Sequence, residues 1–293
     1  MDGFGSVAVS EAAMFKDVPV FWGLPFTGGD ILDSVLGQCL SLVQASDKGT
    51  QDEDAGDDLH LRTVFVEGKS YLNVDLSNSQ GIQRASALAL GTSGMADVAH
   101  SPLLYEVSRL FSPMNRGRLF ILVRHPVERE FARYRHMQRW RKEELLGDDE
   151  DMTYDEYAQS EYVADNWMTR TLVGKNDEDE LTANDMHTAK EILRRKALVG
   201  LYSDIMGAAR HYARHFGWDH ARGGGRLNKG TISCFERAIL DGMRGDLDEA
   251  GHLVEKDSRE GTIAWGKVMK KNKFDFELYI YSQQLYKFQI SLS

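Results

Sequence analysis

The chain has few of the residues that characterise a secreted scaffold or a membrane protein. Its 293 residues include two cysteines, Cys39 and Cys234, which excludes a disulfide-rich scaffold and a cysteine-rich zinc module. Cys39 falls in an apolar helical pattern, which predicts a buried thiol. No apolar run approaches the ~18 residues of a membrane span, and no secretory signal is visible. A complete chain of this kind is expected to be soluble and cytoplasmic.

The negative charge is concentrated in three short clusters. The formal net charge is −10, and thirteen acidic residues without any Lys or Arg lie at residues 52–58, 148–151 and 177–180. Residues 116–142, in contrast, carry nine basic and two acidic residues. The overall charge argues against a nucleic-acid coat protein. The local basic excess is compatible with an anion site, and we expect the acidic clusters to be solvated loops rather than metal sites.

Apolar and helical patterns alternate along the chain, which indicates an α/β fold. The predicted strands are residues 18–24, 62–67, 119–123 and 197–201. The predicted helices are residues 31–43, 80–90, 103–111, 126–146, 154–173, 183–195, 204–216, 235–243 and 274–290. This order predicts a central, mainly parallel sheet flanked by helices in three layers. Residues 44–59 and 220–225 are predicted loops. No composition break divides residues 18–290, so we expect one domain behind an N-terminal extension, residues 1–17.

A glycine-containing turn joins the first predicted strand to the first helix. It reads Gly-Leu-Pro-Phe-Thr-Gly-Gly-Asp over residues 23–30. Adjacent glycines let backbone N–H groups turn inward, and the start of a helix adds partial positive charge, so the turn can hold a phosphate. Gly23 to Gly28 fits the first half of a nucleotide-binding P-loop, but Gly29 and Asp30 replace the Lys-Ser/Thr that follows it. A tight turn that binds nothing remains an alternative.

A second segment carries most of the basic excess. Arg124 directly follows the apolar strand at residues 119–123, at the position where α/β proteins bind ligands. Arginine there suits bidentate recognition of phosphate. Pro126 then begins a helix with further arginines, among which Arg129 and Arg133 are four residues apart and share a face. A solvated basic helix face is the alternative for the distal arginines.

Together these segments resemble the sulfotransferases that use 3′-phosphoadenosine 5′-phosphosulfate, in particular the carbohydrate O-sulfotransferase branch. Residues 25–30 are similar to that family's Pro-Lys-Thr-Gly-Gly-Thr loop, and residues 124–132 to its Arg-Asp-Pro-x-x-Arg-x-x-Ser motif. Further similarities lie at residues 166–174, 198–218 and 272–279. The resemblance spans about residues 18–290 in the family's order. It implies a P-loop-like fold and transfer of a sulfuryl group to a hydroxyl of a carbohydrate, with no metal required.

The resemblance also implies roles for individual residues. The donor would be held by Pro25, Phe26, Thr27, Gly28, Gly29, Asp30 and Ile31 around its phosphosulfate and by Arg124 and Ala132 around its 3′-phosphate. An anionic glycan acceptor would meet Arg129, Arg133, Arg135 and Arg170. His100 lies in a region similar to the family's Gly-His segment, which implies a general base; an ordinary surface or capping histidine is the alternative. The branch usually works in the Golgi lumen, which implies that location as well.

Three departures from the family pattern leave other functions open. Phe26 stands where the family has the lysine that neutralises the sulfuryl group in the transition state. Asp30 replaces a hydroxyl residue, and Ala132 replaces a serine that contacts the 3′-phosphate. A sulfotransferase-like protein that binds nucleotide or glycan without catalysis is therefore an alternative. A nucleotide kinase is less favoured, because the Lys-Ser/Thr and a magnesium aspartate at a strand end are missing.

Overall fold

A seven-stranded sheet forms the centre of the computed structural model, which describes residues 1–8, 17–51, 59–144, 152–218, 227–244 and 260–292. The strands are β1 (Val18–Trp22), β2 (Gln44–Ala45), β3 (Thr63–Val66), β4 (Lys69–Leu72), β5 (Val98–Ser101), β6 (Gly117–Val123) and β7 (Ala197–Leu201). Their order in the sheet is β3-β4-β2-β5-β1-β6-β7. All neighbours are parallel except β3 and β4, which form an antiparallel pair. The predicted α/β class with a mainly parallel sheet is confirmed.

Helices flank the sheet and connect its parallel strands. They are α1 (Gly29–Ser34), α2 (Ser79–Ala87), α3 (Leu90–Ser93), α4 (Leu104–Val107), α5 (Pro126–Glu144), α6 (Tyr154–Gln159), α7 (Trp167–Val173), α8 (Ala183–Lys196), α9 (Ile205–His215), α10 (Lys229–Met243), α11 (Ile263–Lys271) and α12 (Lys273–Ser291). A π-helical turn, Val35–Cys39, continues α1. Short 3₁₀ helices follow β2, α4 and β7 at Asp47–Thr50, Ser108–Leu110 and Tyr202–Asp204. None of the described helices is long and apolar enough to cross a membrane.

The core is built around the central strands. Every residue of β6 and of β7 is buried, as expected for strands of a parallel sheet that is covered on both faces. The first residues of the chain also belong to this core. Phe4 is fully buried, and the N–H of Gly5 donates to the carbonyl of Gly117 at 2.9 Å. The described part of the predicted N-terminal extension therefore packs on the strand that carries Arg124 at its other end.

Several predicted boundaries were wrong, for local reasons. The predicted loop at residues 44–59 contains β2 and the 3₁₀ helix Asp47–Thr50. The predicted helix at residues 154–173 is two helices, because α6 ends at Gln159 and Asn166 precedes α7 with a positive φ of 47°. Strands β4 and β5 and helix α11 were not predicted. The predicted loop at residues 220–225 lies outside the described residues.

The two cysteines form a disulfide, so the prediction of a buried Cys39 thiol was wrong. Cys39 ends the π-helical turn behind α1, and Cys234 lies on α10, with their Cα atoms 5.6 Å apart. Both residues are half-buried. The same two helices approach closely near the phosphate loop, since a Cβ placed on Gly242 of α10 would lie 2.5 Å from Cγ1 of Ile31. The disulfide therefore ties α10 to the helix that begins at the predicted phosphate loop.

Candidate active site

Most of the predicted donor-binding residues and His100 meet at the carboxyl edge of the sheet. Strand β1 lies between β5 and β6, so the loop after β1, His100 on β5 and Arg124 after β6 come together. A cavity of about 500 Å³ opens at this edge. Its lining includes Pro25, Phe26, Gly28, Gly29, Asp30, Ile31, His100, Arg124 and Ala132. This is the crevice where open α/β sheets bind their ligands.

The loop before α1 is held in a tight backbone conformation. Thr27 is buried, and its hydroxyl donates to the carbonyl of Leu24 at 2.8 Å. Gly28 has a φ of 92°, and a Cβ there would lie 2.9 Å from the ring of Tyr202. Phe26 has a φ of 64°, a conformation that a bulky residue adopts only when its surroundings impose it. Glycine at position 28 therefore satisfies both the backbone angle and the space.

Arg124 lies at the end of β6 with its side chain almost fully buried. Its guanidinium stacks 4.0 Å above the ring of Tyr202, and Nη1 donates to the carbonyl of Phe26 at 3.3 Å. Its Nε is 3.7 Å from the carboxylate of Glu128, in the first turn of α5. These contacts hold the arginine against the loop and keep a positive charge at the wall of the cavity.

Helix α5 presents a basic face to the same cavity. Ala132, His136 and Arg139 line it, and the ring centroid of His136 is 5.5 Å from that of Phe26. The predicted acceptor residue Arg135 lines neither this cavity nor the smaller one beside it. The helical period puts residues 132, 136 and 139 on one face, and position 135 falls beside it. The helix therefore meets the cavity through the predicted Ala132 and through His136 and Arg139, to which the sequence analysis gave no role.

His100 has a shielded imidazole at the cavity wall. It pairs with Phe21 across the sheet, and the two rings are 5.3 Å apart in an edge-to-face arrangement. Its Nε2 is closed to solvent and has no hydrogen-bond partner among the described residues. Burial lowers the pKa of His100 to about 4, against a smaller opposing effect of Asp33. The imidazole is therefore neutral at pH 7 and can accept a proton.

Two lysines meet a buried carboxylate beside His100. Asp33 of α1 accepts from Nζ of Lys69 at 2.6 Å and from Nζ of Lys48 at 3.1 Å. The hydroxyl of Tyr71 donates to the same carboxylate at 2.9 Å. Burial alone would raise the pKa of Asp33, but the hydrogen bond from Lys69 and the nearby positive charges lower it below its usual value. Lys48 lines the cavity, and sequence reasoning missed it because it lies in an acidic stretch that predicted a loop.

A second, smaller cavity of about 250 Å³ lies on the other side of Phe26. Arg133, Trp167, Pro25 and Ala164 line it together with Phe26, Arg129 and Glu130. The side chain of Arg133 is 39% exposed and lies 3.7 Å from Glu130. Phe26 and Pro25 line both cavities, so the phosphate loop separates them.

Arg129 is buried in an ion-pair network. Its guanidinium bonds Asp275 of α12 and Glu130, both at 3.2 Å. Burial opposes the charged form, but these two carboxylates raise the pKa of Arg129 further. Asp275 also accepts from the backbone N–H and the hydroxyl of Thr169. The network joins α5, α7 and α12, and Arg129 contributes to the smaller cavity mainly by holding its wall.

The side chain of Arg170 is also held by hydrogen bonds within the protein. Its guanidinium donates to the carbonyls of Asp165, Asn176 and Asp179 and to the carboxylate of Asp165. These bonds fix the turn after α7. The residue lines neither cavity described above, so its predicted contact with an acceptor stays a prediction without support from its position.

Sequence signals for the missed residues were weak. Lys69 and Tyr71 alternate on β4 and so point to one side of the sheet, but the strand was not predicted. Tyr202 follows the correctly predicted β7, at the same edge as Arg124. In the part of the chain that the structure describes, no three His, Cys, Asp or Glu side chains are grouped to hold a metal ion.

Comparison with known proteins agrees with this geometry. A search of curated proteins finds no match. The family model described as "Sulfotransferase family" matches residues 106–282, which is more than half of the chain. The match begins in α4 and ends in α12, and it includes β6, Arg124 and the basic helix α5. With its parallel sheet and its cavity at the carboxyl edge, the chain belongs to the sulfotransferase family.

Proposed function

We propose that the protein transfers a sulfuryl group from 3′-phosphoadenosine 5′-phosphosulfate to a hydroxyl group of a carbohydrate. The observation that carries the proposal is one cavity at the carboxyl edge of β1, β5 and β6. It brings together the glycine loop, Arg124 and the neutral His100. This combination offers backbone donors, a fixed cation and a proton acceptor, which are the groups that transfer of an anionic moiety to a hydroxyl needs.

On this proposal the loop and Arg124 bind different groups of the donor. Backbone N–H groups of Gly28, Gly29 and the first turn of α1 face the 5′-phosphosulfate. Arg124, held by Tyr202 and the Phe26 carbonyl, binds the 3′-phosphate from the end of the neighbouring strand. Ala132 lies on the cavity wall without a hydroxyl, so that phosphate receives one hydrogen bond fewer than in the family motif. The donor supplies an activated sulfuryl group, and the protein residues position and neutralise it.

The smaller cavity suits the acceptor. Trp167 offers an aromatic surface and Arg133 a half-exposed guanidinium, which fits a carbohydrate that carries negative charge. A carbohydrate held there would extend past Phe26 into the larger cavity, where its hydroxyl would lose its proton to the imidazole of His100. Negative charge of a bound donor favours the imidazolium, so it would raise the pKa of His100 from about 4 towards neutrality. His100 would then be a better base in the complex than in the free protein.

The disulfide supports an oxidising compartment as the place of action. Cys39 and Cys234 are bonded to each other, and disulfides persist mainly in secreted, luminal or periplasmic proteins. A Golgi-type lumen, where glycans are modified, is consistent with this bond. We therefore favour a luminal location over the cytoplasmic one expected from the lack of a visible signal.

A second candidate function is binding without catalysis. Phe26 favours it, because an aromatic side chain cannot neutralise a sulfuryl group. Transfer of labelled sulfate from the donor to a panel of uronic-acid and neutral glycans separates the two. We expect transfer by the wild type and at least a hundredfold loss in His100→Asn, since removal of a general base typically costs 10²- to 10⁴-fold. Binding of the donor without transfer to any glycan would favour the binding module instead.

A further inference from the structure

The phosphate loop lacks a cation of its own. Phe26 occupies the place next to Thr27, and its ring packs against His136. Asp30 at the start of α1 is negative and its side chain is 99% exposed. A sulfuryl group held by this loop would therefore need positive charge from another element.

Lys48 reaches the same cavity from the 3₁₀ helix that follows β2. Ala45 of β2 pairs with Ala99 of β5, one residue before His100. The chain then turns into the 3₁₀ helix Asp47–Thr50, whose first turn is fixed by the hydroxyl of Ser46 accepting the N–H of Lys48. This path puts Lys48 on the wall of the cavity that His100, Gly28 and Gly29 also line.

Lys48 shares its nearest carboxylate with a second lysine. The carboxylate of Asp33 already has Lys69 at 2.6 Å, and Lys69 is only 4% exposed. Lys48 lies farther away, at 3.1 Å, and is 24% exposed. This buried group holds two cations and one carboxylate. Two further carboxylates act on Lys48. Asp30 is 3.7 Å away and in solvent, where its attraction is screened, and Asp47, the preceding residue, also lines the cavity.

The lysine keeps its charge at neutral pH. Burial is the largest single effect and disfavours the ammonium, but the charge and hydrogen bond of Asp33 and the other nearby carboxylates together raise the pKa of Lys48 above its ordinary value. Asp30 and Asp47 act in the same direction. A charged ammonium on the wall of a half-closed cavity, in the same lining as an imidazole nitrogen without a partner among the described residues, can bind an anion that enters the cavity.

We propose that Lys48 supplies the positive charge for the sulfuryl group that the loop does not provide at Phe26. The proposal rests on the proposed sulfuryl transfer. In that step the acceptor oxygen forms a bond to sulfur, and the bond from sulfur to the bridging oxygen of the 5′-phosphate breaks. The electron pair stays on the departing bisphosphate, and the proton of the acceptor hydroxyl passes to His100. Lys48 stabilises the charge on the sulfuryl oxygens and on the bridging oxygen during this exchange.

The test compares the donor with its desulfated product, 3′-phosphoadenosine 5′-phosphate. Binding of each compound is measured by calorimetry for wild type, Lys48→Met, Lys48→Arg and Lys175→Met. Lys175 is a matched control, because it pairs with Asp185 at 2.8 Å and is 30% exposed but does not line the cavity. We expect Lys48→Met to weaken the donor about tenfold and the bisphosphate less than about threefold. Lys48→Arg should keep most of the affinity, and Lys175→Met should change neither.

A lysine returned to the loop provides the sharper criterion. If Lys48 replaces the lysine that the loop lacks, adding Phe26→Lys to Lys48→Met should raise the donor affinity or the turnover at least tenfold above that of Lys48→Met alone. Equal losses for both compounds, or a loss that Phe26→Lys does not restore in a folded protein, would assign Lys48 a structural role and overturn the proposal.

Failure of the proposed function gives a different result. A wild type that binds neither donor nor bisphosphate contradicts the donor assignment. Binding of inorganic pyrophosphate then tests Lys48 separately. A tenfold lower affinity for pyrophosphate in Lys48→Met would still assign Lys48 as the cation of an anion site. Equal affinity of wild type and Lys48→Met, or no binding to either, would overturn both proposals.

Discussion

At the scale of residues, the site depends on side chains whose surroundings determine their chemistry. His100 is an example, because its imidazole is shielded, without a hydrogen-bond partner among the described residues and close to Asp33 and Lys48. Arg124 is another, since Tyr202 and the Phe26 carbonyl hold its guanidinium in place. Arg124 could be predicted from the sequence, because an arginine directly after a five-residue apolar strand is costly to bury unless it meets an anion. The burial of His100 could not, because β5 was not predicted.

The pKa of His100 makes stability depend on pH. Burial lowers this pKa to about 4 in the folded protein, against about 6.5 in an unfolded chain. Between these values the unfolded chain binds a proton that the folded protein does not, so stability is full above pH 6.5 and falls as pH decreases towards 4. Thermal unfolding followed across this range should show a smaller decrease in Tm for His100→Asn than for wild type. Parallel curves for the two proteins would contradict the assigned burial.

Gly28 allows a second test at this scale. Gly28→Ala combines a positive φ with a contact of 2.9 Å to Tyr202, whereas Gly68→Ala has a similar φ of 76° and nothing within 4 Å. We expect both changes to lower the free energy of unfolding, by about 1–3 kcal/mol for the backbone strain. Gly28→Ala should cost more and should also weaken binding of the bisphosphate at least tenfold. Chemical denaturation measures the free energy of unfolding, and calorimetry measures the affinity for the bisphosphate. Equal losses in Gly28→Ala and Gly68→Ala would refute the packing of Gly28 on Tyr202.

At the scale of elements, position in the sheet decides which residues meet. The long apolar strands β6 and β7 were predicted from sequence because every one of their residues is buried. Strands β2 and β5 were not, because they have two and four residues and include Gln44, His100 and Ser101. These short strands nevertheless bring Lys48 and His100 to the loop. Contacts between strands distant in sequence, rather than any local pattern, create this half of the site.

The disulfide acts between two elements, α10 and the turn that continues α1. It closes a loop with a sequence separation of 195 residues, for which chain entropy predicts a stabilisation of about 3–5 kcal/mol. The variant Cys39→Ser/Cys234→Ser should therefore unfold at a clearly lower temperature than the oxidised wild type. It should also bind the bisphosphate more weakly, because α10 packs on Ile31 at the loop.

Reduction provides the control for this prediction. A reducing agent should lower the Tm of wild type to that of the double variant and leave the double variant unchanged. An oxidised wild type that unfolds at the same temperature as the double variant would show that the bond does not stabilise these helices.

At the scale of the whole molecule, the placement of charge matters more than its total. The net charge of −10 would disfavour a polyanionic ligand if it were evenly spread. Within the described residues, Arg124, Lys48 and Arg139 share one cavity with Asp30, Asp33 and Asp47, so its wall does not carry the negative excess of the whole chain. Sequence predicted the fold class and the basic helix. It could not predict that Arg129 and Arg170 are bound by carboxylates and carbonyls, because those partners come from other segments.

The central claim is that the loop after β1 and Arg124 bind the 3′-phosphoadenosine donor. It is tested most directly by calorimetric titration of 3′-phosphoadenosine 5′-phosphate, and of ATP with magnesium, into wild type, Arg124→Ala and Arg194→Ala. Arg194 is the control, since it pairs with Glu191 on the surface of α8. We predict saturable binding of the bisphosphate by wild type and Arg194→Ala, and at least tenfold weaker binding by Arg124→Ala. Absence of binding, equal affinity of Arg124→Ala, or a preference for ATP with magnesium would contradict the account.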